Sequence, residues 1–279
     1  MQPVPPQFMP GVAPQGPVDP QLGSVVSEWR AGARRRILLA LVTLVFGGGL
    51  AAIGADNDSM VVVVIALVLT VLCLVLVFVQ QGMVRVVSYT HGIERFGLFG
   101  KKRVLFEQLQ SITLVIVDPA ANVAGQGLLV VLIVRLLTKK DRKPQAVVLA
   151  ALDNSKLSIP GYLKGYDDVL GSLLPYLTER LFAKAQYELS RGQLIPFGKR
   201  LVLDPSWNLT YTGLLGGKTV LPLNAVASAK IERGIVLIQP RDQKKPWQRI
   251  HARSMPNLPV FQRFVALVNA GAPVRWGNQ

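Results

Sequence analysis

The sequence predicts an α+β protein: a two-helix transmembrane hairpin followed by two antiparallel β units, each closed by a C-terminal helix. Three observations carry that reading. Two uncharged apolar runs, residues 37–55 and 60–79, are separated only by Asp56, Asn57, Asp58 and Ser59. After Gly82 the text changes to short strand-like segments divided by turn residues. That series occurs twice, and a stretch with apolar residues at three- and four-residue spacing follows each occurrence.

Residues 1–29 read as a Pro-rich disordered tail, with no amphipathic period. Residues 30–82 hold the hairpin. A bilayer core of about 30 Å takes about 20 apolar residues in a helix, and both runs approach that length. Arg34, Arg35 and Arg36 precede the first run, Arg85 follows the second, and the turn carries two Asp and no cation. Cationic flanks stay on the cytoplasmic side, so both termini are expected in the cytoplasm of a plasma-membrane protein. Trp29 is placed where an interfacial aromatic would anchor the first helix. Gly47 with Ala51, and Gly48 with Ala52, have the small-xxx-small spacing that lets helix backbones approach closely. The short turn makes the other helix of the hairpin the expected contact.

The first β unit spans residues 83–191, with strands expected at 84–90, 93–99, 104–106, 111–118, 128–137 and 146–152. Its helix is expected at 166–189, broken or kinked at Pro175. Asp167 and Asp168 suit the start of that helix through its dipole. The second β unit spans residues 192–279. Its strands are expected at 195–197, 200–203, 209–212, 219–221, 227–233, 235–239 and 247–253, and its helix at 257–269. The text GLFGKKRVL (97–105) matches GLLGGKTVL (213–221), and SIP (158–160) matches SMP (254–256). Strands first and one helix last implies an antiparallel sheet capped by a helix.

YTHGI (89–93) and FEQLQSI (106–112) in the first unit, with IPFG (195–198), VLPLN (220–224) and SMPN (254–257) in the second, carry a resemblance. Over about residues 84–270 the chain resembles an uncharacterised, membrane-anchored, bacterial-type family with tandem pleckstrin-homology-like (PH-like) domains. The resemblance implies a sheet or barrel closed by a helix. It also implies that basic residues near strand-connecting loops meet phosphorylated lipid heads, although PH-like domains of the bacterial type commonly lack that activity.

The chain carries 31 Lys and Arg against 16 Asp and Glu, a net charge of +15. That balance favours anionic partners. One cysteine, Cys73, excludes an intrachain disulfide and a thiol metal site. The two histidines, His91 and His251, have no carboxylate or cysteine at metal-ligand spacing. Gly125-Gln126-Gly127 lacks the third glycine and the Lys-Ser/Thr of a phosphate loop. No catalytic, cofactor or metal residue is therefore expected, and the protein reads as non-enzymatic.

The candidate contacts for anionic lipid headgroups are Lys101, Lys102 and Arg103 on one turn, and Lys139, Lys140, Arg142 and Lys143 on another. Arg241, Lys244, Lys245, Arg249 and Arg253 surround Pro246-Trp247 in the second unit. Cations do not interleave with stacking aromatics, which disfavours nucleic acid. The expected function is a membrane-anchored binding or scaffold protein, integral to the bilayer, presenting its domains to lipid headgroups or to an unknown protein partner. The alternative is an accessory subunit of a transport or channel complex.

Overall fold

The computed structural model describes residues 20–56, 59–97, 100–116 and 143–270. The expected strand at 128–137, the Gly125-Gln126-Gly127 link and most of the tail lie outside those residues. The fold mixes helices with four small antiparallel sheets. Two compact units form, Met1–Glu107 with Tyr162–Tyr166, and Gln108–Gly161 with Asp167–Gln279.

In the first compact unit, β1 (Val25–Arg30), β2 (Arg85–Tyr89), β3 (Gly92–Gly97) and β4 (Gly100–Leu105) form one sheet in that order. The sequence reading did not foresee β1. Its pairing with β2 means that helices α1 (Ala33–Asp56) and α2 (Met60–Met83) are inserted between two neighbouring strands. Trp29 is buried within β1, which replaces its expected place at a membrane interface. Burial of Val86, Val87, Ile93 and Val104 stabilises the sheet by about 1.5–3 kcal/mol for each side chain.

The two apolar runs do fold as paired helices, but no helix is long and apolar enough, over its described residues, to cross a membrane. Within α1, Thr43 and Gly47-Gly48-Gly49 dilute the apolar run. This corrects the expected transmembrane hairpin and the integral plasma-membrane location with both termini inside. The flanking cations then have no span to orient. Arg34, Arg35 and Arg36 lie in the first turn of α1, where their side chains fall outside the described residues.

Gly47 is buried against α2, where a Cβ would stand 1.8 Å from Thr70 Oγ1. Ala51, one turn on, is half-buried, whereas Gly48 and Ala52 are exposed. The small-residue pairs therefore divide: one lies on the contact face within the hairpin, and the other points away from it.

In the second compact unit, β5 (Leu109–Val115), β6 (Ala146–Ala151) and β7 (Lys156–Pro160) form one sheet. A π-turn at Val169–Leu173 leads into α3 (Leu174–Ser190), and Pro175 sits in the first turn, where its missing N–H costs nothing. Strands β8 (Ile195–Pro196), β9 (Leu201–Leu203), β10 (Asn208–Thr212) and β11 (Lys218–Pro222) form a third sheet. The fourth comprises β12 (Val226–Glu232), β13 (Ile235–Pro240) and β14 (Gln248–His251), followed by α4 (Leu258–Asn269). The α4 residues Phe261 and Phe264 are fully buried, and Phe264 meets Phe182, Phe197 and Trp207 at centroid distances of 4.7, 6.4 and 5.7 Å.

The repeat extends to single hydrogen bonds. A 3-10 turn joins β4 to β5 and another joins β11 to β12. The first residue of each donates its N–H to the turn before the third strand of its sheet: Phe106 to His91 O at 2.8 Å, and Leu223 to Trp207 O at 2.8 Å. Both β5 and β12 shift register at their start, between Leu109 and Ser111 and between Val226 and Ser228. Two stretches of chain thus follow one folding plan. The compact units do not coincide with the predicted boundary at 191/192, because the strands of the first copy are divided between them.

Candidate anionic-surface site

Cations in the first compact unit line β4. Its register sets Lys101 opposite Phe96, Lys102 opposite Arg95 and Arg103 opposite Glu94. Strand alternation puts Lys101 and Arg103 on the face that carries Glu94. Glu94 is 4% exposed, with Lys101 Nζ 3.5 Å from its carboxylate and the Tyr89 hydroxyl donating to it at 3.3 Å. Lys101 is therefore partly neutralised. Arg103 donates to Gln21 Oε1 at 3.0 Å. Lys102 lies on the opposite face and is exposed. Arg85, expected to flank a membrane span, instead lies 3.0 Å from Glu28 and over the Phe96 ring at 5.2 Å.

The second basic turn is mostly outside the described residues: Lys139, Lys140 and Arg142 are not described. Lys143 is, and it donates to Asp167 Oδ1 at 2.6 Å with both side chains well exposed. Such a pair contributes about 0–1 kcal/mol and is screened by salt. Asp167 thus serves Lys143 as well as the start of the helix.

The structure gathers a further set in the second compact unit. Thr212 N–H donates to Arg200 O at 2.9 Å, bringing the β8–β9 loop beside the end of β10. Tyr211 packs against Trp247 with ring centroids 6.3 Å apart, and Gln248 Nε2 donates to Thr219 Oγ1 at 3.4 Å. Those contacts bring the β13–β14 loop to the same end of the sheet. Lys199, Arg200, Lys218, Lys244 and Lys245 are all exposed there, on three neighbouring loops, and among the described residues none is ion-paired. Asp242 is the acid of the β13–β14 loop.

Sequence reading found Lys244 and Lys245 but missed Lys199, Arg200 and Lys218, which are scattered along the chain. The signal was the strand order: once β8 to β11 are recognised as successive hairpins, alternate loops must fall at one end. Of the remaining cations named around Trp247, Arg241 instead donates to Asn224 O at 2.8 Å and to Asn269. His91 and His251 are exposed, and among the described residues no three His, Cys, Asp or Glu side chains gather as a metal-holding group.

No curated protein and no solved structure is significantly similar to the chain. Over residues 9–273 it matches a family of unknown function, DUF6585, and it belongs to that family.

Proposed function

We infer that the chain is a non-enzymatic binding protein that presents basic loops to an anionic surface, anionic lipid headgroups foremost. The observation that carries this reading is the set of five exposed cations, Lys199, Arg200, Lys218, Lys244 and Lys245, brought together from three loops without ion-pair partners among the described residues. Holding like charges together costs free energy unless an anion meets them. Each Lys or Arg close to an anionic leaflet contributes about 1 kcal/mol, so five acting together suffice for measurable association. The two copies share one plan, a four-stranded sheet, a 3-10 turn, a three-stranded sheet and a closing helix, which supports an internal duplication.

The test is co-sedimentation of the full chain with phosphatidylserine-containing and with pure phosphatidylcholine vesicles. Binding should exceed that to phosphatidylcholine and fall as salt rises from about 0.05 to about 0.5 M. The pair Lys244→Glu and Lys245→Glu should weaken it while leaving thermal unfolding unchanged, because both side chains are exposed. Equal binding to both vesicle types would remove the anionic-surface reading.

A further inference from the structure

The β10–β11 turn carries a feature that the cations do not explain. Leu214 is 82% exposed and Leu215 is 101% exposed, side by side at the tip of the hairpin. Turn corners ordinarily carry Pro, Asp, Asn, Ser or Gly, residues that water solvates well or that fit the backbone. This turn is also well built. Gly216 N–H donates to Gly213 O at 3.2 Å, and Gly213 N–H donates to Gly217 O at 2.8 Å. Gly216 has a φ of 81°, the left-handed conformation that closes such a hairpin. The two leucines are therefore held out by a closed turn.

Around that tip stand Lys199, Arg200, Lys218, Lys244 and Lys245, with Tyr211 and Trp247 packed together behind it. The matching turn of the first copy carries another apolar pair, Leu98-Phe99, in the sequence. An apolar point ringed by cations and backed by aromatics has the layered chemistry of an anionic lipid interface: acyl chains, then phosphate and carboxylate headgroups. Its shape favours the same acceptor. Two leucines at a convex turn need either a matching concave pocket or a fluid that opens around them, and a bilayer interface supplies the second without shape matching.

We propose that the β10–β11 tip is an interfacial prong: Leu214 and Leu215 enter the acyl-chain boundary of an anionic lipid surface while Lys199, Arg200, Lys218, Lys244 and Lys245 lie against its headgroups. The proposal rests on the anionic-surface reading above and adds the point of entry.

The experiment uses the full chain. The double variant Leu214→Ser and Leu215→Ser is compared with the parent on phosphatidylserine-containing and on phosphatidylcholine vesicles. The readout is the difference between the two vesicle types, because exposed apolar side chains elsewhere adsorb to both. A second arm places a polarity-sensitive fluorophore at Leu215→Cys in a Cys73→Ser background. The expected result is a loss of about tenfold in phosphatidylserine-dependent affinity for the double Ser variant, with unchanged thermal unfolding. The fluorophore should shift to the blue on phosphatidylserine vesicles and stay unshifted with polyglutamate. Undiminished phosphatidylserine binding by the double Ser variant would overturn the prong and leave the cationic reading standing. No preference for phosphatidylserine in the parent chain would remove both. A blue shift with polyglutamate and none with vesicles would assign the tip to an acidic protein and overturn the lipid proposal.

Discussion

The β3–β4 and β10–β11 hairpins carry matching text and occupy matching places in the strand order, yet they handle charge differently. In the first, Glu94 points inward and draws Lys101 toward it, and Val104 on β4 is buried. In the second, Thr210 stands where the aligned text places Glu94, β11 carries no acid, and Lys218 and Val220 are both exposed. The aligned cations Lys102 and Lys218 are exposed in both copies; what differs is the Glu94–Lys101 pair, whose places are taken by Thr210 and Gly217, and the valine, buried at 104 and exposed at 220. A sheet that leaves an edge strand exposed must gain its stability elsewhere, and in the second copy the source is α4.

The largest expected effect tests that claim. Phe264 is fully buried in contact with three aromatic rings, so Phe264→Ala should cost about 3–5 kcal/mol of unfolding free energy, read from urea denaturation. A cost under about 1 kcal/mol would mean that the second copy does not depend on its closing helix, and the contrast between the copies would fail.

A smaller effect comes from exchanging residues between copies. The stretch SIPG (158–161) matches SMPN (254–257), so Gly161 in the first copy corresponds to Asn257 in the second. Gly161 N–H donates to Gln145 O at 2.6 Å. Asn257 N–H likewise donates to a strand carbonyl, Ile112 O, at 2.7 Å, and its Oδ1 accepts from Ile112 N–H at 2.9 Å. Asn257 thus pairs with β5 as a neighbouring strand residue would. Its φ of 58° is one that Asn and Gly both tolerate. Asn257→Gly should keep the backbone and lose the side-chain bonds, the one from Ile112 N–H and a longer one that Asn257 Nδ2 donates to Gln110 O at 3.4 Å, at a cost of about 1–2 kcal/mol. Asn257→Ala, strained at that φ, should cost more. Equal losses for the two variants would show that the side-chain bond to Ile112, and not the backbone conformation, sets the cost at this position.

Much of this was legible in the sequence, for a physical reason in each case. Residues 257–269 announce α4 because the side chains that must face a core recur every three or four residues, and the core is there. The β5 and β12 strands announce themselves through alternation. The apolar runs at 37–55 and 60–79 gave the helices correctly and the membrane crossing wrongly, because a run without a period says nothing about which faces meet a neighbour. The strand β1 was hidden by its position: Trp29 and the cations after it read as a flank to the hairpin, and only pairing with β2, across an insertion, makes them a strand. The five-cation site was illegible because its members come from three separate loops. The Leu214-Leu215 tip was plainly readable as text, but exposure is a tertiary property that text does not carry.

The smallest effect concerns Tyr166, which lies at the end of the first copy's strands. It is 6% exposed, and among the described residues its hydroxyl has no hydrogen-bond partner. Burial disfavours the phenolate and pushes its pKa from 10.0 up to about 12. The folded chain therefore holds this proton more tightly than the unfolded chain does. Its contribution to stability is complete below pH about 10 and is lost as pH rises from there toward about 12, at up to about 1.4 kcal/mol per pH unit. Tyr166→Phe removes both the proton and an unpaired buried hydroxyl. At neutral pH its stability should match or exceed the parent's by up to about 1 kcal/mol, and the part of the alkaline slope due to this group should vanish. Among the described residues Glu94 is buried with partners and Tyr166 is buried without one, so the first copy holds polar groups inside under both conditions. If Tyr166→Phe weakens the chain at pH 7, the hydroxyl has a partner after all, and the first copy buries its polar groups only when they are paired, as Glu94 is.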